Sequence, residues 1–298
     1  MRFLITGSTG MLGTDLSQAL DERGDEVFGV DKGVLDITDT EAVDRFVDEI
    51  RPDVIVNCAA YTRVDDCEAD EATASKVNGW AVESLADAAN RAGSLLVQIS
   101  TDFVFDGLAT RPYEINDPVA PVSAYGRSKL EGEERARIAK RHVILRTSWL
   151  FGVRGWNFVE AIRKQILLGR TELRVVDDQR GCPTYTPHLA SAVVRLADIV
   201  RKSPELGGVY HYSDAPECSW FDFATAIVAE MKREGSADGG ARVLPTTSAE
   251  FPRPAQRPAY SVLSVDRYRR VTGCSPESWI DGLAEYFAKR PSSALAAG

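Results

Sequence analysis

The sequence is poor in three things, and each shortage removes a class of protein. No apolar run approaches the ~18 residues that a membrane span needs, so a membrane role is not expected. Cations are in the minority: 35 Lys and Arg face 44 Asp and Glu, a net charge of -9. A broad binder of nucleic-acid backbone needs a basic face, so no nucleic-acid partner is expected. One small anionic ligand stays open, because a helix N-terminus or a few local arginines suffice to hold it. The five cysteines (Cys58, Cys67, Cys182, Cys218, Cys274) are scattered, odd in number and form no CxxC pair. That spacing argues against a disulfide framework or a structural zinc site and points to buried free thiols. The start, Met-Arg-Phe-Leu-Ile-Thr-Gly, also lacks the longer apolar stretch and small-residue cleavage site of a signal peptide, which leads us to expect a cytoplasmic protein. No repeat or low-complexity core is present, and Pro291–Gly298 reads as a frayed tail.

What is present is the composition of an ordinary globular enzyme. The chain has 298 residues, 44% hydrophobic and 27% charged, enough for one large or two modest domains. Its first half alternates short apolar runs with longer amphipathic ones. Strands are predicted at Arg2–Thr6, Glu26–Val30, Asp53–Cys58, Leu95–Ser100 and Val143–Thr147. Helices are predicted between them at Met11–Arg23, Thr40–Ile50, Glu71–Ala92 and Ala124–Lys140. That alternation predicts an α/β fold with a doubly wound parallel sheet, whose buried strands read as continuous apolar runs. Residues 1–150 would form this dinucleotide-binding unit. After about Phe151 the pattern loosens into helices at Asn157–Leu168, Pro187–Val200, Phe221–Arg233 and Ser264–Val271. Residues 151–298 would then be mainly a smaller C-terminal substrate-binding lobe, with segments returning to the sheet.

The most informative turn is Thr6-Gly7-Ser8-Thr9-Gly10-Met11-Leu12-Gly13, which follows a predicted strand and opens a predicted helix. Gly7 permits the tight turn, Gly10 lets backbone approach a pyrophosphate, and Gly13 lets helix and strand pack closely. The free N–H groups of the helix start would meet the phosphates. Asp31, about 20 residues on, stands where an acid would bind the adenosine ribose and favour NADH. Lys32 follows directly and would suit a 2′-phosphate, so the choice between NADPH and NADH stays open. Asp36 and Ile37 are expected against the adenine.

Tyr125-Gly126-Arg127-Ser128-Lys129 is a YxxxK pattern at a helix start, which puts both side chains on one face. A nearby ammonium should lower the phenol from its usual ~10 and make Tyr125 a general acid for a carbonyl oxygen as hydride arrives. The pattern alone is common on surface helices; its position after the fourth strand gives it weight. Thr101, at the carboxyl end of that strand, can hydrogen-bond the same carbonyl.

Ser100-Thr101-Asp102-Phe103-Val104-Phe105-Asp106-Gly107, Arg111-Pro112-Tyr113-Glu114, Pro121 and Tyr125 through Glu133 together resemble the dTDP-4-dehydrorhamnose reductases, which are extended short-chain dehydrogenases. Further matches are Asn57-Cys58-Ala59-Ala60-Tyr61-Thr62, Arg146-Thr147-Ser148-Trp149, Asp178 through Thr184, and Arg257-Pro258 with Ser261, so the resemblance runs from Arg2 to about Tyr286. It implies a catalytic set of Thr101, Tyr125 and Lys129. It places Thr9, Met11, Leu12, Ala59, Ala60 and Thr62 along the cofactor, Asn78 close by, Asp102 and Phe103 facing the sugar, and Trp149 packed on it. It implies reduction of the 4-keto group of dTDP-4-dehydro-L-rhamnose to dTDP-L-rhamnose. Arg257 would contact the diphosphate; on sequence alone the alternative is a solvated loop arginine, and for Trp149 a core tryptophan. Phe103 replaces a frequent Tyr, and Arg63 a frequent small residue. The early acid is Asp15, without a clear acidic cluster, so no required metal is expected. Oligomeric state is open, a homodimer included.

Other readings stay in view. A related dTDP-keto-sugar of a streptose or deoxysugar pathway would need few pocket changes. A sibling dehydratase would need a second carboxylate after Asp102, where Phe103 stands. A non-catalytic regulatory subunit of methionine adenosyltransferase shares the fold, and the full Thr101–Tyr125–Lys129 set speaks against it.

Overall fold

The computed structural model describes residues 1–235 and 241–290; the tail expected at Pro291–Gly298 lies outside them. In chain order the first half runs β1 (Arg2–Thr6), α1 (Met11–Arg23), β2 (Glu26–Val30), α2 (Thr40–Ile50), β3 (Val54–Asn57), α3 (Val64–Ala69), α4 (Glu71–Ser75), a π turn at Lys76–Trp80, α5 (Ala81–Ala92), β4 (Leu95–Thr101), α6 (Ala124–Ala136) and β5 (His142–Thr147). The second half adds α7 (Phe158–Leu167), α8 (Thr186–Lys202), a strand at Gly208–His211, α9 (Trp220–Arg233), α10 (Asp266–Thr272) and α11 (Trp279–Lys289).

All six strands of the main sheet are parallel, in the order β2, β1, β3, β4, β5 and then Gly208–His211. Successive strand side chains point to opposite faces, so the apolar runs feed two cores at once. Phe3, Ile5, Val54, Val56 and Val97 pack against Leu16 and Leu20 of α1 and Leu189 and Val193 of α8. Leu4, Ile55, Leu96 and Ile144 pack instead against Val43 and Val47 of α2 and Val82 and Leu85 of α5. Each such large side chain contributes about 1.5–3 kcal/mol on burial, which is why the strands carry so few polar residues. A third core, built on Phe151, Tyr185, Phe223, Trp279 and Tyr286, holds the C-terminal elements together.

Several boundaries differ from the sequence reading. The helix expected over Glu71–Ala92 is interrupted by the π turn at Lys76–Trp80, where Gly79 packs against the Glu131 side chain of α6. The helix expected to run to Lys140 stops at Ala136, and the His142 ring nitrogen Nδ1 meets the Ala139 carbonyl at 2.7 Å as the chain turns into β5. Neither α3 nor α11 was expected. The start of α11 carries a signal, since Ser278 accepts a hydrogen bond from Asp281 N–H. The short parallel pair Glu172–Val176 with Arg242–Thr246 was also not foreseen.

The order of strands changes direction at β1: the chain goes to one side for β2 and to the other for β3. Ligands of open α/β sheets bind outside the carboxyl ends of the strands at such a point. Here a cavity of about 1050 Å³ opens there.

Candidate active site

A ladder of buried side chains ties together the three strand ends beneath the cavity. The Thr6 hydroxyl donates to Asn57 Oδ1 at 2.6 Å, and Asn57 Nδ2 donates to Gln98 Oε1 at 2.8 Å. Gln98 Nε2 then donates to the Ile99 carbonyl. Parallel pairing puts Thr6, Asn57 and Gln98 in register, so a polar residue at each position satisfies its neighbour inside an otherwise apolar sheet.

The glycine loop follows β1 directly. Gly7 has a φ of +66°, which L side chains rarely adopt, and a Cβ there would lie 2.8 Å from Ala59 backbone. At Gly13 a Cβ would meet the Gly7 carbonyl at 2.3 Å, so the start of α1 can touch the turn only without a side chain. Gly10 faces more open space and caps α1, with no side chain satisfying the first N–H groups. Bare N–H donors at a helix start beside a long cavity fit a dinucleotide pyrophosphate. Thr9, Met11, Leu12, Ala59, Ala60 and Thr62 line the same cavity. Asn78 does not. It is buried behind the wall, where its amide takes the Tyr61 N–H, donates to the Tyr61 carbonyl and donates to the Ser128 hydroxyl. Asn78, expected close to the cofactor, clamps the loop after β3 to α6.

Asp31, Lys32, Asp36 and Ile37 line the far end of the cavity, past β2. Asp31 Oδ1 accepts the Gly33 N–H at 2.8 Å, which orients its carboxylate. Lys32 is 85% exposed and sits 3.8 Å from Asp36 Oδ2. Asp36 is held below the usual carboxylate range by the Thr38 backbone N–H and hydroxyl.

The Thr101, Tyr125 and Lys129 side chains line one cavity at the end of β4. Ser123 caps α6 by accepting the Gly126 N–H, so Tyr125 lies in the first turn. Gly126 lets that turn press on the preceding strand end: a Cβ there would lie 2.2 Å from the Phe103 carbonyl. The Tyr125 phenol comes within hydrogen-bonding reach of the Thr101 hydroxyl, and its ring meets Phe103 edge-on at 5.7 Å. Thr101 Oγ1 donates to Asp102 Oδ1 at 3.0 Å. Lys129 is 4% exposed and its ammonium donates to the Ile99 carbonyl at 2.6 Å.

The charges do not follow the sequence expectation. Burial, with the nearby Asp102 carboxylate, pushes the Tyr125 phenol above its ordinary value rather than below it. Lys129 is pulled down to about 8 by burial, against the Glu133 carboxylate. The two residues share a face, but the ammonium donates to a backbone carbonyl and desolvation dominates both groups.

Asp102 and Phe103 line the cavity. Asp102 is 1% exposed and burial pushes it up to about 6, against the Ser261 and Thr101 hydroxyls, which favour the carboxylate. Trp149 also lines the cavity, in a left-handed conformation with φ +48°. One face of its indole is already taken: it stacks on Trp220 at 3.6 Å. Trp220, Phe158 and Trp156 are cavity residues the sequence reading missed. The capping box of Ser219 and Asp222 marked the helix that begins at Trp220, but nothing local ties that helix to Trp149. Arg257 lines the cavity with its guanidinium bidentate on Asp65, at 3.0 and 3.1 Å. Arg63, unplaced by sequence, lies on the surface 3.4 Å from Asp66. Asp15 accepts from the Thr186 hydroxyl, and no three His, Cys, Asp or Glu side chains group as a metal site among the described residues. The cysteines are free thiols; Cys58 and Cys274 are half-buried rather than buried, and burial holds Cys58 up at about 12.

A doubly wound parallel sheet, a glycine-loop helix start and a Thr–Tyr–Lys cluster in one cavity define an extended short-chain dehydrogenase/reductase. The chain belongs to the family described as the RmlD substrate binding domain, whose model matches residues 1–291. It is 42% identical to a dTDP-4-dehydrorhamnose reductase of Streptomyces griseus, over 96% of this chain and 93% of that one. It is 40% identical to a dTDP-4-keto-6-deoxy-D-glucose reductase of Streptomyces niveus, over 96% of each. A solved structure of dTDP-4-dehydrorhamnose reductase from Bacillus anthracis in complex with NADP superposes with a TM-score of 0.88 at 36% identity, covering 97% of this chain and 99% of that one. Among the described residues no helix is long and apolar enough to cross a membrane.

Proposed function

We propose that this chain is an NAD(P)H-dependent dTDP-4-dehydrorhamnose reductase, reducing the 4-keto group of dTDP-4-dehydro-L-rhamnose to dTDP-L-rhamnose. The observation that carries the reading is the single cavity that runs from the glycine loop past Thr101, Tyr125 and Lys129 to Trp149 and Arg257. A nicotinamide held there supplies the hydride. Tyr125, kept neutral by burial, donates its proton to the carbonyl oxygen. Thr101 hydrogen-bonds the same oxygen, and Lys129 holds the ribose hydroxyls and favours the phenolate left behind. The buried Asp102 carboxylate, which lines the cavity, accepts from a sugar hydroxyl. The positive φ of Trp149 is the kind of local strain that persists at binding sites, and its place after β5 suits the sugar rather than the nucleotide. Residues 1–150 carry the dinucleotide and the later residues mainly the sugar nucleotide, with α8 and the Gly208–His211 strand serving the sheet.

The test is an assay over a panel of dTDP-4-keto sugars, following nicotinamide absorbance and product identity. Stoichiometric oxidation of NADPH with dTDP-4-dehydro-L-rhamnose is expected; no turnover with any member overturns the reading. Preference for a dTDP-4-keto-6-deoxyglucose would favour the second reading, for which the Streptomyces niveus relative speaks.

Both nucleotides should be used. Asp31 repels a 2′-phosphate and Lys32 attracts one, though Asp36 draws off part of that charge. Asp31→Ala should shift the kcat/KM ratio about tenfold toward NADPH, the worth of one charge-assisted hydrogen bond to the ribose. A shift toward NADH would mean that Asp31 does not face it.

Arg257→Ala should raise KM for the dTDP-sugar several-fold, with modest change in kcat and none in cofactor affinity. Asp65 presets the guanidinium fork for the diphosphate. Wild-type kinetics at subsaturating dTDP-sugar would remove Arg257 from the site.

A further inference from the structure

We propose that Glu133 is a positioning residue of this site: its buried carboxylate anchors α6 to the sheet and places a fixed negative charge beside the Lys129 ammonium. The inference rests on the reading of Lys129 given above.

Glu133 is 0% exposed and lies four residues after Lys129, on the same buried face of α6. It accepts from the Ser100 hydroxyl at 2.6 Å, one residue before Thr101. It also accepts from Arg146 Nε at 2.8 Å and Nη2 at 2.7 Å, a bidentate pair from β5. Arg146 is 2% exposed; its Nη1 lies 3.3 Å from His211 Nε2, and the Phe105 ring stands 5.1 Å from its guanidinium carbon. His211 Nδ1 sits 3.1 Å from the Tyr113 carbonyl. Burial, and then Arg146, push His211 down to about 3, so it stays neutral and adds no second cation.

A buried ion pair is weak evidence of stabilisation, since replacing it with apolar side chains is often neutral or better. This one joins the helix that carries Tyr125 and Lys129 to the strand that ends in Thr101. The groups around Lys129 are few. Cys58 flanks it from the end of β3, the Ile99 carbonyl of β4 accepts its hydrogen bond, and Tyr125 and Glu133 share its helix. Of these, Glu133 is the main force keeping the ammonium charged against burial. Arg146 pairs with Glu133, and neutral His211 stands beside Arg146. Without the carboxylate, Lys129 should lose its proton at lower pH.

The test uses the full chain, titrated with NADPH by nucleotide fluorescence from pH 6 to pH 9, with kcat/KM for the keto-sugar measured over the same range. Wild-type affinity should weaken as pH rises through about 8. For Glu133→Gln the whole curve should move down by about one pH unit, with affinity about threefold below wild type near pH 7.5, about fivefold near pH 8 and within about twofold at pH 6. Glu133→Asp, which keeps the charge, should follow wild type. A folded Glu133→Gln, verified by its thermal melt, whose curve overlays wild type overturns the inference. If Glu133→Gln does not fold, Glu133→Gln with Arg146→Gln removes the guanidinium that would otherwise be left unpaired and is read by the same two outcomes. A wild-type chain that binds NADPH but reduces no dTDP-keto sugar would sink the proposed function, while the binding curves still decide the role of Glu133.

Discussion

Tyr125→Phe should lower kcat about 10²- to 10⁴-fold, the range for a lost general acid, and leave NADPH affinity close to wild type. Only one oxygen is removed. The ring keeps its edge contact with Phe103, and the cap of Ser123 on the Gly126 N–H does not involve the phenol. The helix start and the glycine loop should therefore stay in place. The phenol is raised by burial and by Asp102. That direction suits a donor, which must be neutral when hydride arrives and release its proton only to a developing alkoxide. Steady-state rates with the keto-sugar, beside nucleotide binding by fluorescence, check both halves. Near-normal turnover would mean that another group, with Thr101 the nearest hydroxyl, gives the proton.

Lys129→Met should damage turnover and cofactor binding together. The ammonium is expected to serve the nicotinamide ribose hydroxyls as well as the phenol, and charge-assisted hydrogen bonds are worth about 1.5–3 kcal/mol each. Loss of NADPH affinity should therefore be roughly 10- to 100-fold, with kcat lowered at least as much. Methionine fills a similar volume, so the buried space under α6 should not collapse. The Ile99 carbonyl loses its donor, but Gln98 Nε2 still serves it. If kcat alone moved, the ribose contact would be absent; if affinity alone moved, the phenol would not depend on the cation. The wild-type pH profile gives a companion check. Lys129 is lowered to about 8 in the free chain, so the charged form is full below that value and lost above it. The kcat/KM profile, which reports the free enzyme, should fall as pH rises through about 8.

The site was legible where chemistry and local spacing coincide. The turn Thr6 to Gly13 announced itself because a strand, three glycines and a helix start follow within eight residues, and backbone geometry leaves such a turn few alternatives. Tyr125 and Lys129 were legible because a helix brings residues four apart onto one face. Thr101 was found as the hydroxyl at a strand end. Their charge state was not legible. Spacing placed the ammonium near the phenol but could not show that the Ile99 carbonyl accepts its hydrogen bond, or that desolvation would outweigh the neighbouring charge. The clamp that Asn78 makes was not legible for a related reason: a polar residue near a cofactor wall reads the same in front of the wall as behind it. Trp149 was found, but not the Trp220 stacked on it, since 71 positions separate them and no local pattern links the two.

By itself the sequence determined the alternation of strand and helix, the parallel sheet and its two buried faces, the cofactor turn and the Tyr125–Lys129 face. All of these follow from periodicity, glycine sterics and hydrogen bonding between near neighbours. Only the tertiary structure decided which distant charges meet. Arg257 found Asp65 across 192 positions, and Glu133 found Arg146 on a different element. It also decided how far each group is desolvated, and so which protons can move. Burial and through-space pairing depend on the whole packed chain and leave no signature in any short stretch of it.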